Sequence, residues 1–215
     1  MITSKFDRGG LLGQEKDESG FSVLDLILIA VIVILIANIM VQTYWLSPVK
    51  VDGESMLQTL HNEDWLLMDK LKKPERGDVV VFRYSKDVNY IKRIIGLPGD
   101  TVYSVDGVLY ILEKGESEGY AFEDSHAYYM QGKPQGIYQD LSKTDIFVKV
   151  GEGEIYVLGD NRWGSRDSRE IGNVKIKNII GIVPQWAIER KESYSGYLNF
   201  VEKINLRLSN VFNKD

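Results

Sequence analysis

The sequence of 215 residues contains no cysteine and only two histidines, His61 and His126. Without cysteine the chain forms no disulfide, no thiolate nucleophile and no cysteine-ligated zinc site. The two histidines lack the spacing that places two metal ligands on one helix face. We therefore expect both to be ordinary hydrogen-bonding residues.

A large excess of positive charge is also missing. The formal net charge is −5, and no block of lysine and arginine stands out. This argues against nucleic acid as the main partner. Hydrophobic residues make up 44% of the chain and charged residues 27%, so most of it should fold as a globular domain with its own core.

One long segment carries no charge at all. No charged residue occurs from Leu26 to Val49, and about 20 apolar residues are enough to cross a bilayer as a helix. Tyr44 and Trp45 stand where an aromatic belt would lie at the interface. A core helix rarely stays uncharged for so long, and no cleavage site of a removable signal peptide follows. We therefore predict a retained transmembrane helix within residues 21–46.

The distribution of lysine and arginine predicts the orientation of this helix. Lys5, Arg8 and Lys16 precede it, whereas Lys50 alone follows it closely. Because positive residues favour the cytoplasmic side, we expect the N-terminus inside the cell and the rest of the chain outside the cytoplasm. Residues 1–20 are polar and have no periodicity, which is typical of a disordered tail.

Between residues 47 and 190 the pattern changes from helix to strand. Short β-rich segments are bounded by proline and glycine, and an Asp-Gly pair at 106–107 predicts a hairpin. We predict a mainly β domain, antiparallel and barrel-like or sandwich-like. A segment at about 115–151 has weak strand signals and is predicted to be a small inserted cap. The predicted strands cover residues 65–70, 78–84, 89–95, 101–105, 108–112, 154–158 and 174–183.

The last segment, 191–215, returns to helical spacing. Leu198, Val201, Ile204 and Leu208 recur at intervals of three and four residues, which predicts an amphipathic helix. This helix either docks on its own domain or lies on the membrane surface. Charges interrupt it too often for a second membrane span.

Lys92 is the first candidate for chemistry. Side chains alternate along a strand, so Lys92 shares a face with Tyr90 and Ile94, while Arg93 points the other way. A lysine among apolar side chains is desolvated, and desolvation lowers its pKa. A drop of about three pKa units, roughly 4 kcal/mol, would make it a base near neutral pH. The alternative is a structural lysine whose amine reaches solvent.

Ser55, which follows Gly53 and Glu54 in a loop, is the second candidate. A loop serine is usually only a turn or cap residue. A serine nucleophile needs a nearby base, and Ser-Lys is a recognised variant of the serine protease site. With no cysteine and no suitable histidine, Lys92 is the natural candidate base. The hydroxyl of Ser165 could hydrogen-bond its amine.

Four segments, in this order, resemble the boxes of type I signal peptidases. They are 55–60 (SMLQTL), 76–82 (RGDVVVF), 90–100 (YIKRIIGLPGD) and 159–169 (GDNRWGSRDSR). Several ordered motifs are far more specific than any one of them. The resemblance covers about residues 47–184, and the preceding anchor fits it. It implies a membrane protease, similar to Gram-positive members, with a Ser-Lys dyad.

The resemblance implies a role for each matching residue. Ser55 is the nucleophile, Lys92 is the general base and Ser165 orients the lysine. No metal or cofactor is required. The residues implied to line the substrate cleft are Gly53, Met56, Asn89, Tyr90 and Ile91. The charged residues implied to support the site are Arg93, Asp160, Asp167 and Arg169.

One position departs from the family pattern. Gln58 stands where the family usually has proline. Proline fixes φ and stiffens the chain, so we expect a looser nucleophile loop or a changed pocket shape, with the chemistry retained. The departure could also mark a specialised branch.

The implied function is removal of N-terminal signal peptides from translocated preproteins. The implied partners are preprotein signal peptides, the lipid bilayer and, indirectly, the protein translocation machinery. The alternative is a relative without proteolytic activity that serves as an assembly factor for surface fibres. A self-cleaving repressor is disfavoured because a membrane span occupies the place of its DNA-binding module. A membrane-tethered adaptor has no positive signal beyond the anchor.

Overall fold

The computed structural model describes residues 22–106, 108–123, 125–127 and 146–212. The predicted tail at 1–20 and a large part of the predicted cap lie outside these residues. The chain forms two compact units, one that ends at Ile39 and one that begins at Met40.

The first unit contains most of helix α1, Val23–Tyr44. Ser22 and Asp25 form a reciprocal cap at its start: the Asp25 N–H donates to Ser22 Oγ at 3.2 Å, and the Ser22 N–H donates to Asp25 Oδ2 at 2.9 Å. Its residues from 23 to 41 have a mean hydropathy of 3.0, with side chains exposed on all sides. Among the described residues it is the one helix long and apolar enough to cross a membrane.

The second unit is built mainly from antiparallel strands. They form two sheets, with the orders β1-β2-β11-β3-β4-β9-β10 and β7-β6-β5-β8. The strands are β1 Leu46–Lys50, β2 Trp65–Asp69, β3 Val79–Arg83, β4 Asn89–Gly96, β5 Thr101–Val105, β6 Val108–Leu112, β7 Tyr120–Ala121, β8 Phe147–Lys149, β9 Glu154–Leu158, β10 Val174–Lys175 and β11 Ile179–Val183. The predicted mainly β, antiparallel class is confirmed, and neither sheet closes into a barrel.

The four helices beyond α1 are short, with one exception. Helix α4 covers Lys191–Phe212, and its first half packs against β2. The shorter helices are α2 Ser168–Ile171, a 3-10 turn Ile176–Asn178 and α3 Gln185–Glu189.

The second sheet packs its inner face against one end of the larger sheet. Val102 and Ile111 from the small sheet form a buried cluster with Ile95, Tyr156 and Leu158 from β4 and β9. Strands β5 and β6 of the small sheet come before residue 115 in the sequence. Its two short strands, β7 and β8, belong to the predicted cap segment. Residues 128–145 of that segment lie outside the described residues.

The order of the large sheet positions the candidate site. The β1–β2 hairpin carries the loop with Ser55, and the β3–β4 hairpin carries Lys92. Strand β11 lies between these hairpins, pairing with β2 on one side and with β3 on the other.

Candidate active site

The loop that carries Ser55 is held at both its base and its middle. At the base, the Val51 N–H donates to the Asp64 carbonyl at 2.8 Å. In the middle, Met56 and Leu60 are buried in the core beneath β2. Apolar burial on this scale fixes a loop that has no regular structure of its own. Ser55, between these points, is half-buried and lies at the edge of a cleft.

Lys92 is brought to Ser55 from the neighbouring hairpin. Its side chain is only 3% exposed, and its Nζ donates to Ser55 Oγ at 2.7 Å and to the Ile91 carbonyl at 2.7 Å. The amine lies 5.2 Å from the centre of the Tyr90 ring, which shares its face of the strand. The candidate nucleophile and the candidate base therefore lie within hydrogen-bond reach, as proton transfer would require.

Burial changes the acid–base chemistry of this lysine. Desolvation lowers the pKa of Lys92 to about 8, while the negative charges of Asp167 and Asp160 oppose the shift. At mildly alkaline pH a large fraction of the amine is then neutral and able to accept a proton. An ordinary surface lysine would stay protonated under the same conditions.

Arg93, the residue after Lys92, forms a buried ion pair with Asp160. Arg93 Nε donates to Asp160 Oδ1 at 2.8 Å, and Nη2 donates to Oδ2 at 2.6 Å. The Thr59 hydroxyl donates to Asp160 Oδ2 at 2.5 Å. Arg93 is 3% exposed and Asp160 is fully buried, so breaking the pair would leave an uncompensated buried charge. The pair ties β4 to the loop after β9 and to the end of the nucleophile loop.

Asn161 was not among the predicted site residues, although its backbone bonds directly to Ser55. Its backbone N–H donates to the Ser55 carbonyl at 3.0 Å, and its Nδ2 donates to the Glu54 carbonyl at 3.1 Å. Its Oδ1 accepts from the Gly164 N–H at 3.2 Å. A side-chain amide in a loop has many possible partners, so the sequence does not reveal which bonds Asn161 makes. The only signal in the sequence was its position directly after Asp160.

Ser165 differs from the expectation. Its Oγ is buried and has no hydrogen-bond partner among the described residues, so the predicted bond to Lys92 is not formed. The second bond of the Lys92 amine goes to the Ile91 carbonyl instead. Ser165 packs against Gly159, where a Cβ would overlap the hydroxyl and lie 2.5 Å from the Ser55 carbonyl oxygen. The hydroxyl therefore lies near the Ser55 carbonyl without bonding to the Lys92 amine.

Asp167 and Arg169 hold the loop that contains Ser165. Asp167 Oδ2 accepts from the Gly159 N–H at 2.9 Å, and Arg169 donates to both carboxylate oxygens at 2.8 and 2.9 Å. Asp167 is fully buried, so charge-assisted hydrogen bonds replace the water it has lost. Asp167 thus joins the Gly159 backbone to the Arg169 side chain.

A cleft of about 580 Å³ opens beside the dyad. Four of the five predicted substrate-contacting residues line it: Gly53, Asn89, Tyr90 and Ile91. Met56 does not, because its side chain is 1% exposed and packs in the core with Leu60. The expectation for Met56 was therefore wrong about its side chain, which anchors the nucleophile loop from below.

Strand β4 has an unpaired edge along this cleft. Strand β9 pairs with β4 only from Arg93 to Gly96. In the described part of the chain, residues 89–92 therefore have a strand neighbour on the β3 side alone. An edge of this kind can accept an extended peptide as an additional strand.

Gln58 has a backbone conformation that proline cannot adopt. Its φ is 72°, whereas proline is fixed near −65°. The Thr59 N–H donates to the Met56 carbonyl at 3.1 Å, so Gln58 occupies a tight turn three residues after Ser55. At this position the loop therefore adopts a backbone conformation that a proline-containing loop cannot adopt. The difference from the family pattern is one of backbone shape as well as of stiffness.

A comparison with known proteins assigns the family. The model of the family described as "Signal peptidase, peptidase S26" matches residues 23–186. The chain is 36% identical to "Signal peptidase I P" of Bacillus subtilis subsp. natto over 161 residues, which cover 71% of this chain and 83% of that protein. It is 37% identical to "Signal peptidase I S" of Bacillus subtilis (strain 168) over 159 residues, which cover 71% and 82%.

Among solved structures, a crystal structure of a signal peptidase I from Enterococcus faecalis V583 matches with a TM-score of 0.39 and 29% identity, covering 53% of this chain and 98% of that one. The family match alone covers most of the residues that form the fold and the candidate site. The chain therefore belongs to the signal peptidase family, peptidase S26. It is a serine endopeptidase, and the family resemblance inferred from its four sequence boxes is confirmed.

Proposed function

We propose that Ser55 and Lys92 form a catalytic dyad that removes N-terminal signal peptides from translocated preproteins. The observation that carries this proposal is the 2.7 Å hydrogen bond from a buried lysine amine to a loop serine. The lowered pKa of Lys92 supports it, because a base must be neutral before it can take a proton.

Acylation begins with the neutral amine of Lys92. It takes the proton of Ser55 Oγ while that oxygen attacks the scissile carbonyl carbon, which gives a tetrahedral oxyanion. The backbone N–H of Ser55 donates to this oxyanion. The protonated lysine then gives its proton to the leaving amine, and the acyl-enzyme remains. Water, deprotonated by the same lysine, hydrolyses the ester and restores Ser55.

The substrate binds as an extended segment in the cleft beside β4. Its backbone pairs with the unpaired edge at residues 89–92, and its side chains point alternately into the cleft and away from it. Gly53 and Tyr90 line the cleft and limit the space for those side chains. Arg93, Asp160, Asp167 and Arg169 support the loops, and Ser165 packs against Gly159 near the Ser55 carbonyl.

Helix α1 anchors the enzyme in the cell membrane, with the N-terminus in the cytoplasm and the catalytic domain outside it. Ser55 lies ten residues after Trp45, so it is at most about 36 Å of extended chain from the membrane interface. The scissile bond of a signal peptide emerges close to the bilayer, within that reach. Protease added to intact protoplasts should digest the domain after residue 50, and its protection would show the opposite orientation.

Cleavage of a purified preprotein in detergent tests the dyad. Ser55→Ala and Lys92→Ala remove the nucleophile and the base. Lys92→Arg keeps the positive charge but stays protonated at any accessible pH. We expect each variant to lose at least about 10³-fold in kcat, and the double variant to be no worse, since the residues act as one unit. Circular dichroism confirms folding.

Substantial cleavage by folded Lys92→Arg would exclude Lys92 as the base. Absence of cleavage by the wild-type enzyme would favour the non-proteolytic assembly factor. A purely structural lysine would tolerate arginine, so the arginine variant separates these interpretations better than alanine does.

A further inference from the structure

Helix α4 begins at Lys191, beyond residues 23–186, which the family model matches. One face of this helix contacts the residues at the base of the β1–β2 loop, which carries the proposed nucleophile Ser55. Its other face exposes Tyr197 and Phe200, at 70% and 61%. The helix lies outside the matched residues, and the side chains of its inner face bond to specific polar partners.

Those partners form the base of the nucleophile loop. The loop runs from β1 to β2, and Val51 closes it by donating to the Asp64 carbonyl at 2.8 Å and accepting from the Glu63 N–H at 2.9 Å. The loop base consists of Lys50, Val51, Glu63, Asp64 and Trp65. Residues 52–62, which include Ser55, lie between the two sides of this base, so a movement of the base moves them.

Three side chains of α4 bind the loop base. Lys191 forms an ion pair with Asp64, and both side chains are less than one-fifth exposed. Glu202 Oε2 lies 3.1 Å from Lys50 Nζ. Asn199 Oδ1 accepts from Trp65 Nε1 at 2.8 Å. The first and last of these contacts, at Lys191 and Glu202, are eleven residues apart along the helix. Together they fix the direction of α4 as well as its position.

The loop itself has little intrinsic stiffness. The chain contains no proline between Pro48 and Pro74, and Gln58 takes a left-handed conformation at the position where the family usually has proline. A loop without proline has more conformations available and needs more external contacts to favour one of them.

We propose that α4 is a clamp that positions Ser55 for catalysis by fixing the loop base through Lys191, Asn199 and Glu202. This inference rests on the proposed function of Ser55. Lys191 and Glu202 are positioning residues, since they act through Asp64 and Lys50 and do not touch the substrate cleft. Misplacing a reacting group by about 1 Å can cost on the order of 10²-fold in rate.

The test compares two matched double variants of the full-length enzyme in detergent. Lys191→Gln with Glu202→Gln removes both ion pairs of the clamp. Lys203→Gln with Glu192→Gln removes the same two charges from exposed positions on the same helix, where the described residues provide no ion-pair partner. Net charge and helix composition therefore change equally in the two proteins.

We expect the clamp variant to lose about tenfold in kcat with less than a twofold change in KM, and the control variant to keep the wild-type values. Hydrogen exchange of the backbone amides at 51–60 should accelerate in the clamp variant alone. The melting temperature should fall by less than about 3 °C, because the core beneath β2 is untouched.

Wild-type kcat in the clamp variant, or unchanged exchange at 51–60, would overturn the clamp. Failure of the proposed function would appear differently, as absence of cleavage by the wild-type protein. Hydrogen exchange needs no substrate, so it still tests whether α4 holds the loop in that case.

Discussion

The hydroxyl of Ser165 packs directly against Gly159, at the point where Gly159 also approaches the carbonyl of Ser55. The position is buried on three sides by the nucleophile loop, the end of β9 and the Ser165 loop. Glycine is needed here for space, since a methyl group would have to displace backbone on one side and a side chain on the other.

Gly159→Ala should therefore inactivate the enzyme without unfolding it. The new methyl group would push Ser55 and Ser165 apart and lengthen the bond between Ser55 Oγ and Lys92. We expect a loss of at least about 10²-fold in kcat/KM, measured by preprotein cleavage, because reacting groups tolerate little displacement. Gly196→Ala is the control: its site is open, so activity should persist. Near-normal cleavage by Gly159→Ala would contradict the packing described here.

The pH dependence of cleavage should follow the charge of Lys92. Its pKa is lowered to about 8, and the neutral form is the active one. The value of kcat/KM should therefore rise with pH through about 8 and level off above it, reporting the free enzyme. Initial rates between pH 6 and 10 measure the profile. A profile that is flat across this range would mean that the lysine does not limit the reaction.

The same lysine should reduce stability below pH 8. Its pKa is about 8 in the folded protein and near 10.5 when unfolded, so the folded state holds a costly buried charge at pH 7. Lys92→Met should then raise the free energy of unfolding at pH 7, by on the order of 1–3 kcal/mol.

That advantage should shrink as pH rises from 8 to 10.5. In this window the unfolded wild type binds the proton more tightly than the folded protein, so wild-type stability increases with pH. Urea unfolding of both proteins at pH 7, 9 and 10.5 measures the difference. A constant difference across these pH values would show that packing, and not the lysine charge, is its source.

Restoring the family's usual proline should damage this enzyme. Gln58→Pro demands φ near −65° where the turn has 72°, so the loop must rearrange. We expect a loss of about tenfold or more in kcat and a lower melting temperature. Gln58→Gly, which accepts positive φ without strain, should keep both. Equal activity of the proline and glycine variants would show that the turn is not required.

Much of the scaffold could be predicted from local patterns. The strands at 101–105 and 108–112 follow from alternation on either side of an Asp-Gly pair, and they match β5 and β6. Alternation also placed Lys92 and Tyr90 on one face of β4 and Arg93 on the other face. On that other face Arg93 bonds to Asp160. These features depend on neighbours close in sequence, which a single chain displays directly.

The details of the loops could not be predicted in this way. The side chain of Met56 is in the core and not in the cleft, Ser165 lacks its expected partner, and Asn161 bonds to the nucleophile loop. Asn161 bonds to a residue 107 positions away, and the other two outcomes also depend on how separate segments pack together. The surface on which α4 packs could not be predicted for the same reason. Helical spacing identifies an amphipathic helix but not the surface that its apolar face covers.

The late position of β11 in the sequence has a consequence for the timing of activity. Residues 179–183 form the strand that separates the hairpin of Ser55 from the hairpin of Lys92. A growing chain that has already exposed both residues still lacks the strand that joins their hairpins into one sheet. Such long-range pairing is slow to form. Residues 179–183 must therefore be synthesised and paired before the hairpins that carry Ser55 and Lys92 are joined in one sheet.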